Sequence, residues 1–208
     1  MGMIKNIIFD FGGVIVTIDQ QQAVRRFEEI GLKNAAECLD PYTQSGIFGD
    51  LEEGKITAEE FRVELSDMAG KELTFDDCKY AWTGYCKELP KRNLQALREL
   101  KAKGYRLILL SNTNPFMMDW ADSEYFDGMG NPVSSYFDSM YRSYEVKMMK
   151  PDEKFFQYVI DTEKINMDET LFVDDGPRNV AVAERIGIHT FCPENGKDWT
   201  AEIYKHLL

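Results

Sequence analysis

Apolar residues follow two rhythms along this chain. Ile7-Ile8-Phe9, Leu107-Ile108-Leu109-Leu110 and Leu171-Phe172-Val173 are short uninterrupted runs, and Ile188 to Phe191 resembles them. Continuous apolar residues over so few positions predict strands covered on both faces, as in a parallel sheet. Elsewhere the apolar positions recur at helical spacing. Leu94, Leu97 and Leu100 form one stripe, with Gly104 as a stop. Phe155, Phe156, Val159 and Ile160 form a second, on a helix opened by Pro151 and Asp152. Pro177 in a first turn and Gly187 past an end frame a third. Strands alternating with helices predict an α/β fold, a doubly wound parallel sheet with right-handed crossovers.

The stretch from Ile18 to Pro90 breaks this alternation. It separates the first two strands by far more than a crossover helix needs, and it reads as several amphipathic helices. Thr57 and Glu60 fit a capping box, followed by Phe61, Leu65 and Met68 at helical spacing. Another helix carries Cys78, Ala81 and Trp82, with Tyr85 beyond. The expected organisation is a core of residues 1–17 and 91–208 with a small all-helical cap, residues 18–90, inserted after the first strand. Residues 115–137, rich in Met, Asp, Gly and aromatics, read as a helix plus an irregular loop.

Composition narrows the possible partners. The 208 residues suffice for one α/β core and an accessory unit. Hydrophobic content of 44% and charged content of 29% are those of a globular protein. No apolar run approaches the roughly 20 residues that span a bilayer, and the first residues do not read as a signal peptide or a myristoylation signal. The four cysteines, Cys38, Cys78, Cys86 and Cys192, form no CxxC pair and read as reduced thiols of a cytoplasmic protein. A net charge of −12 disfavours nucleic acid and anionic membrane as partners. It also repels phosphate esters, so a phosphate site here needs local positive charge.

The chemistry gathers where strands end. The first ends at Asp10, the second at Ser111-Asn112-Thr113, the third at Asp174-Asp175. Open α/β sheets bind ligands beyond the carboxyl ends of their strands. Three carboxylates at one edge repel one another unless a cation sits among them. Oxygen ligands without His or Cys suit Mg²⁺ rather than zinc. His189 and His206 have no acidic or Cys partner at ligand spacing and read as structural or exposed. The aromatics Trp82, Tyr85, Trp120, Tyr125 and Phe126 read as packing residues rather than substrate platforms, with a place for some of them in the lining of the cap–core cleft, and Glu52-Glu53 as part of a solvated acidic face.

Four segments in order, IIFDFGGVIV from Ile7, LLSNTN from Leu109, Lys150-Pro151, and FVDDGPRN from Phe172, resemble the motifs of the haloacid dehalogenase superfamily. The likeness is to its phosphatase branch, with a Rossmann-like core and a helical cap after the first strand. Their wording is most similar to bacterial sugar-phosphate phosphatases related to the N-terminal domain of soluble epoxide hydrolase. The resemblance implies that Asp10 attacks phosphorus and forms an aspartyl-phosphate that water cleaves. It implies that Ser111 and the Asn112 backbone hydrogen-bond the phosphoryl oxygens and that Lys150 pairs with phosphate and Asp10. Asp10, the Gly12 carbonyl, Asp174 and Asp175 would hold Mg²⁺, with Asn179 orienting the metal loop. The implied activity is hydrolysis of a small phosphate ester such as a sugar phosphate.

One departure stands out. Gly12 occupies the position where the family usually carries a second Asp, the general acid–base. Its absence favours leaving groups that need little protonation, such as an anomeric sugar 1-phosphate, with Asp19 as a candidate substitute. Lys147 is a rival for the role given to Lys150. Two other readings compete: a 2-haloacid dehalogenase, which needs no metal, and a non-catalytic phosphate-binding or interaction module. A phosphomutase is disfavoured because it leans on the carboxylate that Gly12 replaces.

Overall fold

The computed structural model describes residues 3–40 and 44–207; the first two residues of the expected core segment, residues 41–43 of the expected insertion and Leu208 lie outside the described residues. Among the described residues, no helix is long and apolar enough to cross a membrane.

The first strand, β1 (Asn6–Phe9), is followed by a two-residue strand, β2 (Thr17–Ile18). Five helices come next: α1 (Gln20–Glu29), α2 (Ala35–Cys38), α3 (Gly46–Glu52), α4 (Ala58–Ala69) and α5 (Phe75–Trp82). Strand β3 (Cys86–Glu88) returns antiparallel to β2, so the inserted helices leave and re-enter the core through a two-stranded stalk. The chain continues through α6 (Lys91–Ala102), β4 (Arg106–Ser111), α7 (Pro115–Ala121), β5 (Ser139–Arg142) and α8 (Ser143–Val146). It ends with α9 (Glu153–Glu163), β6 (Thr170–Val173), α10 (Pro177–Arg185) and β7 (His189–Phe191). All five core strands are parallel, in the order β5-β4-β1-β6-β7.

The two faces of this sheet divide the core. Ile7, Phe9, Leu107, Leu109, Leu171 and Val173 point into one apolar layer, with Leu94, Leu97 and Leu100 of α6 and the indole of Trp199. Ile8, Ile108, Leu110 and Phe172 point the other way, onto Phe155, Phe156, Val159 and Ile160 of α9. Both faces are therefore covered, which is why these strands read as continuous apolar runs rather than alternating ones.

The inserted helices have their own aromatic centre. Phe27, Phe48, Phe61 and Trp82 pack largely edge to face, with Phe27–Phe48 and Phe48–Phe61 centroids 5.3 Å apart. Phe116 of α7 joins this group from the core, 4.6 Å from Phe75 and 5.6 Å from Phe61. The Thr57–Glu60 capping box forms as expected on α4, and a second, Thr74–Asp77, opens α5. Met68 departs from the expected stripe: it is 48% exposed, because Phe61 and Leu65 already fill the packed face before Gly70 ends the helix. The segment 115–137 resolves into α7 and a loop organised by Asp127, which accepts hydrogen bonds from the Met129 and Asn131 amides and the Tyr136 hydroxyl. All four cysteines are free.

Candidate active site

Strand register brings the chemistry to one level. Phe9 pairs with both Leu109 and Val173, so the next residue of each strand, Asp10 and Asp174 among them, emerges at the same edge of the sheet. The Asp10 amide still donates to Val173 O (2.9 Å) before the chain turns away through Gly12 and Gly13. That loop is held from below: Asn93 Nδ2 donates to the carbonyls of Val14 and Ile15 (3.0 Å each), and Trp199 Nε1 donates to Val14 O (2.8 Å).

Lys150 is the centre of the arrangement. Its ammonium is buried and donates to Asp10 Oδ1 (2.8 Å), Asp174 Oδ2 (2.7 Å) and Leu110 O (2.9 Å). Three short contacts satisfy all three of its N–H donors. Its backbone is clamped by one side chain: Asn112 Oδ1 accepts from the Lys150 amide (2.9 Å) and Asn112 Nδ2 donates to the Lys150 carbonyl (2.8 Å). Lys147, the rival candidate, is exposed and sits past the end of α8 in the left-handed region. Of the two lysines, Lys150 is the one that contacts the carboxylates.

Asp174 and Asp175 differ in their surroundings. Asp174 is fully buried; it accepts from the Gly176 amide (2.7 Å) and Asn179 Nδ2 (3.0 Å) on Oδ1, and from Lys150 on Oδ2. Asp175 lies against the backbone of Gly13, whose φ is +76°. A Cβ on Gly13 would stand 2.0 Å from Asp175 Oδ2, so only glycine lets this carboxylate approach the loop after Asp10. Oxygens of Asp10, Asp174 and Asp175 all lie within 4.8 Å of one another.

The electrostatics show what this cluster lacks. Burial drives the Asp10 carboxyl far above its ordinary pKa, and Asp174 and Asp175 add to the rise while Lys150 opposes it. Burial, then the charge of Asp174, lifts Asp175 to about 7. Burial works against the Lys150 charge, yet Asp10 and Asp174 hold its pKa above the ordinary lysine value. One ammonium is too little charge for three carboxylates in a low-dielectric pocket. The donor set, all carboxylate oxygen with a glycine-lined approach and no His or Cys, fits a hard divalent cation such as Mg²⁺.

Two cavities meet at this edge. One, about 560 Å³, is lined by Asp10, Lys150, Asp175, Asn179 and Asn195. The other, about 510 Å³, runs under the inserted helices and contains Ser111. Gly12, Ile18 and Asn112 line both. The structure thus gathers Asp10, Lys150, Asp175, Asn179 and Asn112 in one cavity with Asp174 behind Lys150, and places Ser111 next door, its Oγ donating to Asn112 O (3.3 Å).

Several sequence expectations need correction. Asp19 is the N-cap of α1, its Oδ1 accepting from the Gln22 amide (3.0 Å), so it is committed to the helix and is no substitute acid. The place near Gly12 is taken instead by Ile18, whose Cδ1 would be 2.5 Å from a Cβ there. Glu52 is not on a solvated face: it is 8% exposed and lines the second cavity. Trp82 and Tyr85 both pack and line that cavity, in keeping with the sequence reading. Asn195 was not singled out by the sequence; its side chain bonds both the amide (2.9 Å) and carbonyl (3.0 Å) of Ile18. The Asn195-Gly196 turn pair was its only signal. His206 stacks on Phe191, His189 contacts the Asp168 carbonyl, and neither belongs to the carboxylate cluster.

The family model of haloacid dehalogenase-like hydrolases matches residues 4–187. The chain is 48% identical over 201 residues to a D-ribitol-5-phosphate phosphatase of Bacteroides thetaiotaomicron, covering 97% of each protein. It superposes on a predicted HAD-like family hydrolase of Porphyromonas gingivalis with a TM-score of 0.94 at 43% identity, over 99% of this chain and 98% of that one. A second solved structure, a HAD-family enzyme of B. thetaiotaomicron in complex with magnesium and inorganic phosphate, aligns with a TM-score of 0.86 at 35% identity, over 96% and 98%. This chain belongs to the haloacid dehalogenase-like hydrolases, on their phosphatase branch.

Proposed function

We propose that this protein is a Mg²⁺-dependent phosphatase of a small sugar or polyol phosphate and that it works through a phosphoenzyme on Asp10. The observation that carries the reading is the position of the Asp10 carboxylate, bonded to buried Lys150 at 2.8 Å and grouped with Asp174 and Asp175 within 4.8 Å.

In this reading Asp10, Asp175, Asp174 and the Gly12 carbonyl would hold the ion. When bound, Mg²⁺ would supply the positive charge that favours ionised carboxylates and would act as a Lewis acid toward the phosphoryl group. Both hydrogen bonds to Asp10, from the Phe11 amide (2.7 Å) and from Lys150, fall on Oδ1. They fix the carboxylate so that Oδ2 is the attacking oxygen. Oδ2 forms a bond to phosphorus as the ester P–O bond breaks, and the alcohol half departs. Water then attacks the aspartyl-phosphate, releasing inorganic phosphate and restoring the carboxylate. Lys150 offsets the charge that develops between Asp10 and the phosphoryl group, while Ser111 and the Asn112 amide bind its oxygens. Asp174, itself anchored by the Gly176 amide, keeps Lys150 and Asn179 oriented through three further hydrogen bonds. Residues 18–90 act as a cap that covers the organic half and sheds water from the site.

The relative named D-ribitol-5-phosphate phosphatase supports a polyol phosphate as the substrate class. A second reading, an anomeric sugar 1-phosphate, is favoured by Gly12, since no acid stands there to protonate a poor leaving group. A panel of phosphate esters with Mg²⁺ tests both. It should contain D-ribitol 5-phosphate, an aldose 1-phosphate and p-nitrophenyl phosphate, with 2-chloropropionate added. Turnover is expected to vanish with EDTA and in Asp10→Asn; full activity in Asp10→Asn would end the covalent mechanism. Chloride release without metal would favour a dehalogenase instead.

A further inference from the structure

The cavity beneath the inserted helices contains a buried acid that the mechanism does not use. Glu52 closes α3 beside Phe48 and Leu51 and is buried with them, although it carries a carboxyl group. It shares the cavity lining with Asn114; burial lifts its carboxyl above the ordinary value, and the Asn114 side chain opposes that rise. Asn114 is itself rigid: its Oδ1 caps α7 by accepting from the Met117 amide (3.1 Å). A carboxyl group has capacity for several hydrogen bonds, and one anchor uses only part of it. Taking such a group from water with most of that capacity unfilled is costly, and a leucine would serve packing better.

The surroundings indicate what completes it. Gly12, Asn112 and Ile18 line both this cavity and the one holding Asp10, so a phosphate beside Asp10 projects its organic half toward Glu52. Gln44 and the Tyr85 hydroxyl, 3.2 Å apart, add a polar edge to the same cavity, and Trp82 adds an apolar wall. Polar groups of both kinds against a flat aromatic suit a chain of carbon atoms bearing hydroxyls.

We propose that Glu52 is a specificity-determining residue: its carboxyl hydrogen-bonds a hydroxyl of the substrate's organic half and so selects polyhydroxylated phosphate esters over apolar ones. This rests on the phosphatase reading above. Burial pushes Glu52 up to about 8. At neutral pH it is then largely uncharged, both donates and accepts, and does not repel the incoming phosphate.

The test compares Glu52→Gln and Glu52→Leu on D-ribitol 5-phosphate and on p-nitrophenyl phosphate, whose organic half has no hydroxyl. A hydrogen bond of ordinary net strength corresponds to roughly fivefold to tenfold in affinity. Glu52→Leu is expected to lower the kcat/KM ratio of polyol to aryl ester by at least about fivefold, chiefly through KM. Glu52→Gln, which keeps a donor and an acceptor, should restore the ratio to within about twofold. An unchanged ratio in Glu52→Leu overturns the proposal. Equal losses on both esters with a lower Tm would make Glu52 only a link to Asn114 and also overturn it. So would a fall in kcat in Glu52→Gln as large as in Glu52→Leu, since that marks a proton donor. Should Glu52→Leu fail to fold, the wild-type enzyme carries the test. Ribitol should inhibit aryl ester hydrolysis competitively and 1,5-pentanediol should not; equal inhibition overturns the proposal. A wild-type enzyme inert toward every phosphate ester would instead sink the phosphatase reading, and this inference with it.

Discussion

Replacing Lys150 by methionine tests the electrostatic account most directly. The substitution keeps the length and apolar stem of the side chain and removes one charge. That charge is 4% exposed and contacts two carboxylates, one of them, Asp174, at 0% exposure. Solvent screening is therefore small. Removing one partner from a buried ion pair typically costs about 3–5 kcal/mol, because the charge left behind has neither water nor counterion. For a chain of 208 residues, each kcal/mol moves Tm by roughly 2–4 °C, so the metal-free variant should melt about 6–20 °C below wild type. The deficit should shrink as pH falls, because burial already holds the Asp10 carboxyl far above its ordinary value and losing Lys150 raises it further, so it takes up a proton, and it should shrink when Mg²⁺ is added. Turnover should fall by about 10² to 10³, the usual cost of one preorganised donor to a developing charge. Melting curves in EDTA and in Mg²⁺, at two pH values, together with kcat/KM, measure all of this. A metal-free Tm within about 2 °C of wild type at neutral pH would refute the claim that Lys150 organises the carboxylates.

Gly13→Ala is expected to weaken Mg²⁺ binding by at least about tenfold, measured by titration calorimetry, because its Cβ would collide with Asp175 Oδ2 from a left-handed backbone. Mg²⁺ affinity should tighten from pH 6 to pH 8 with release of protons, since Asp175, at about 7, and Asp10 must lose theirs to accept the ion. The same upward shifts mean that the folded, metal-free protein holds these protons more tightly than the unfolded chain. Its Tm should therefore fall as pH rises from about 4 to about 8, and a rising Tm over that range would contradict the assignment. Gly12→Asp alone should not raise kcat on a primary alkyl phosphate, because Ile18 occupies the space beside position 12; Gly12→Asp with Ile18→Ala should raise it at least about tenfold if an acid there is what the site lacks.

Much of this arrangement was legible in the chain. The three uninterrupted apolar runs announced β1, β4 and β6 because both faces of those strands are buried, and the polar residue closing each run announced the site. Strand β5 was missed because Ser139-Met140-Tyr141-Arg142 lies at the sheet edge, where only part of it is covered and no continuous run is needed. The stalk strands were missed because two or three residues carry no period. Glu52 was misread for a different reason. Adjacent acids suggest a solvated face, but Glu52 lies four residues after Phe48 and so shares its buried side, whereas Glu53 turns outward to Lys55. Helical phase, rather than charge, held the signal. Asp19 was misjudged because proximity in sequence to the first strand outweighed its better use as a helix cap.

The boundary between the two cavities links these observations. Gly12 leaves no side chain there, and Ile18 fills the vacancy because Asn195, from the far end of the chain, binds both polar groups of its backbone. In the proposed mechanism an apolar residue thus stands where the family usually carries an acid. Any proton for the leaving oxygen must then come from water or from the organic half's own cavity. The first puts the burden on the leaving group, as in a sugar 1-phosphate; the second makes the polar lining under the inserted helices part of the rate. The two alternatives separate cleanly in leaving-group dependence. A steep dependence of kcat on alcohol acidity belongs to an unassisted departure, and a shallow one to a site in which the cap supplies what position 12 does not.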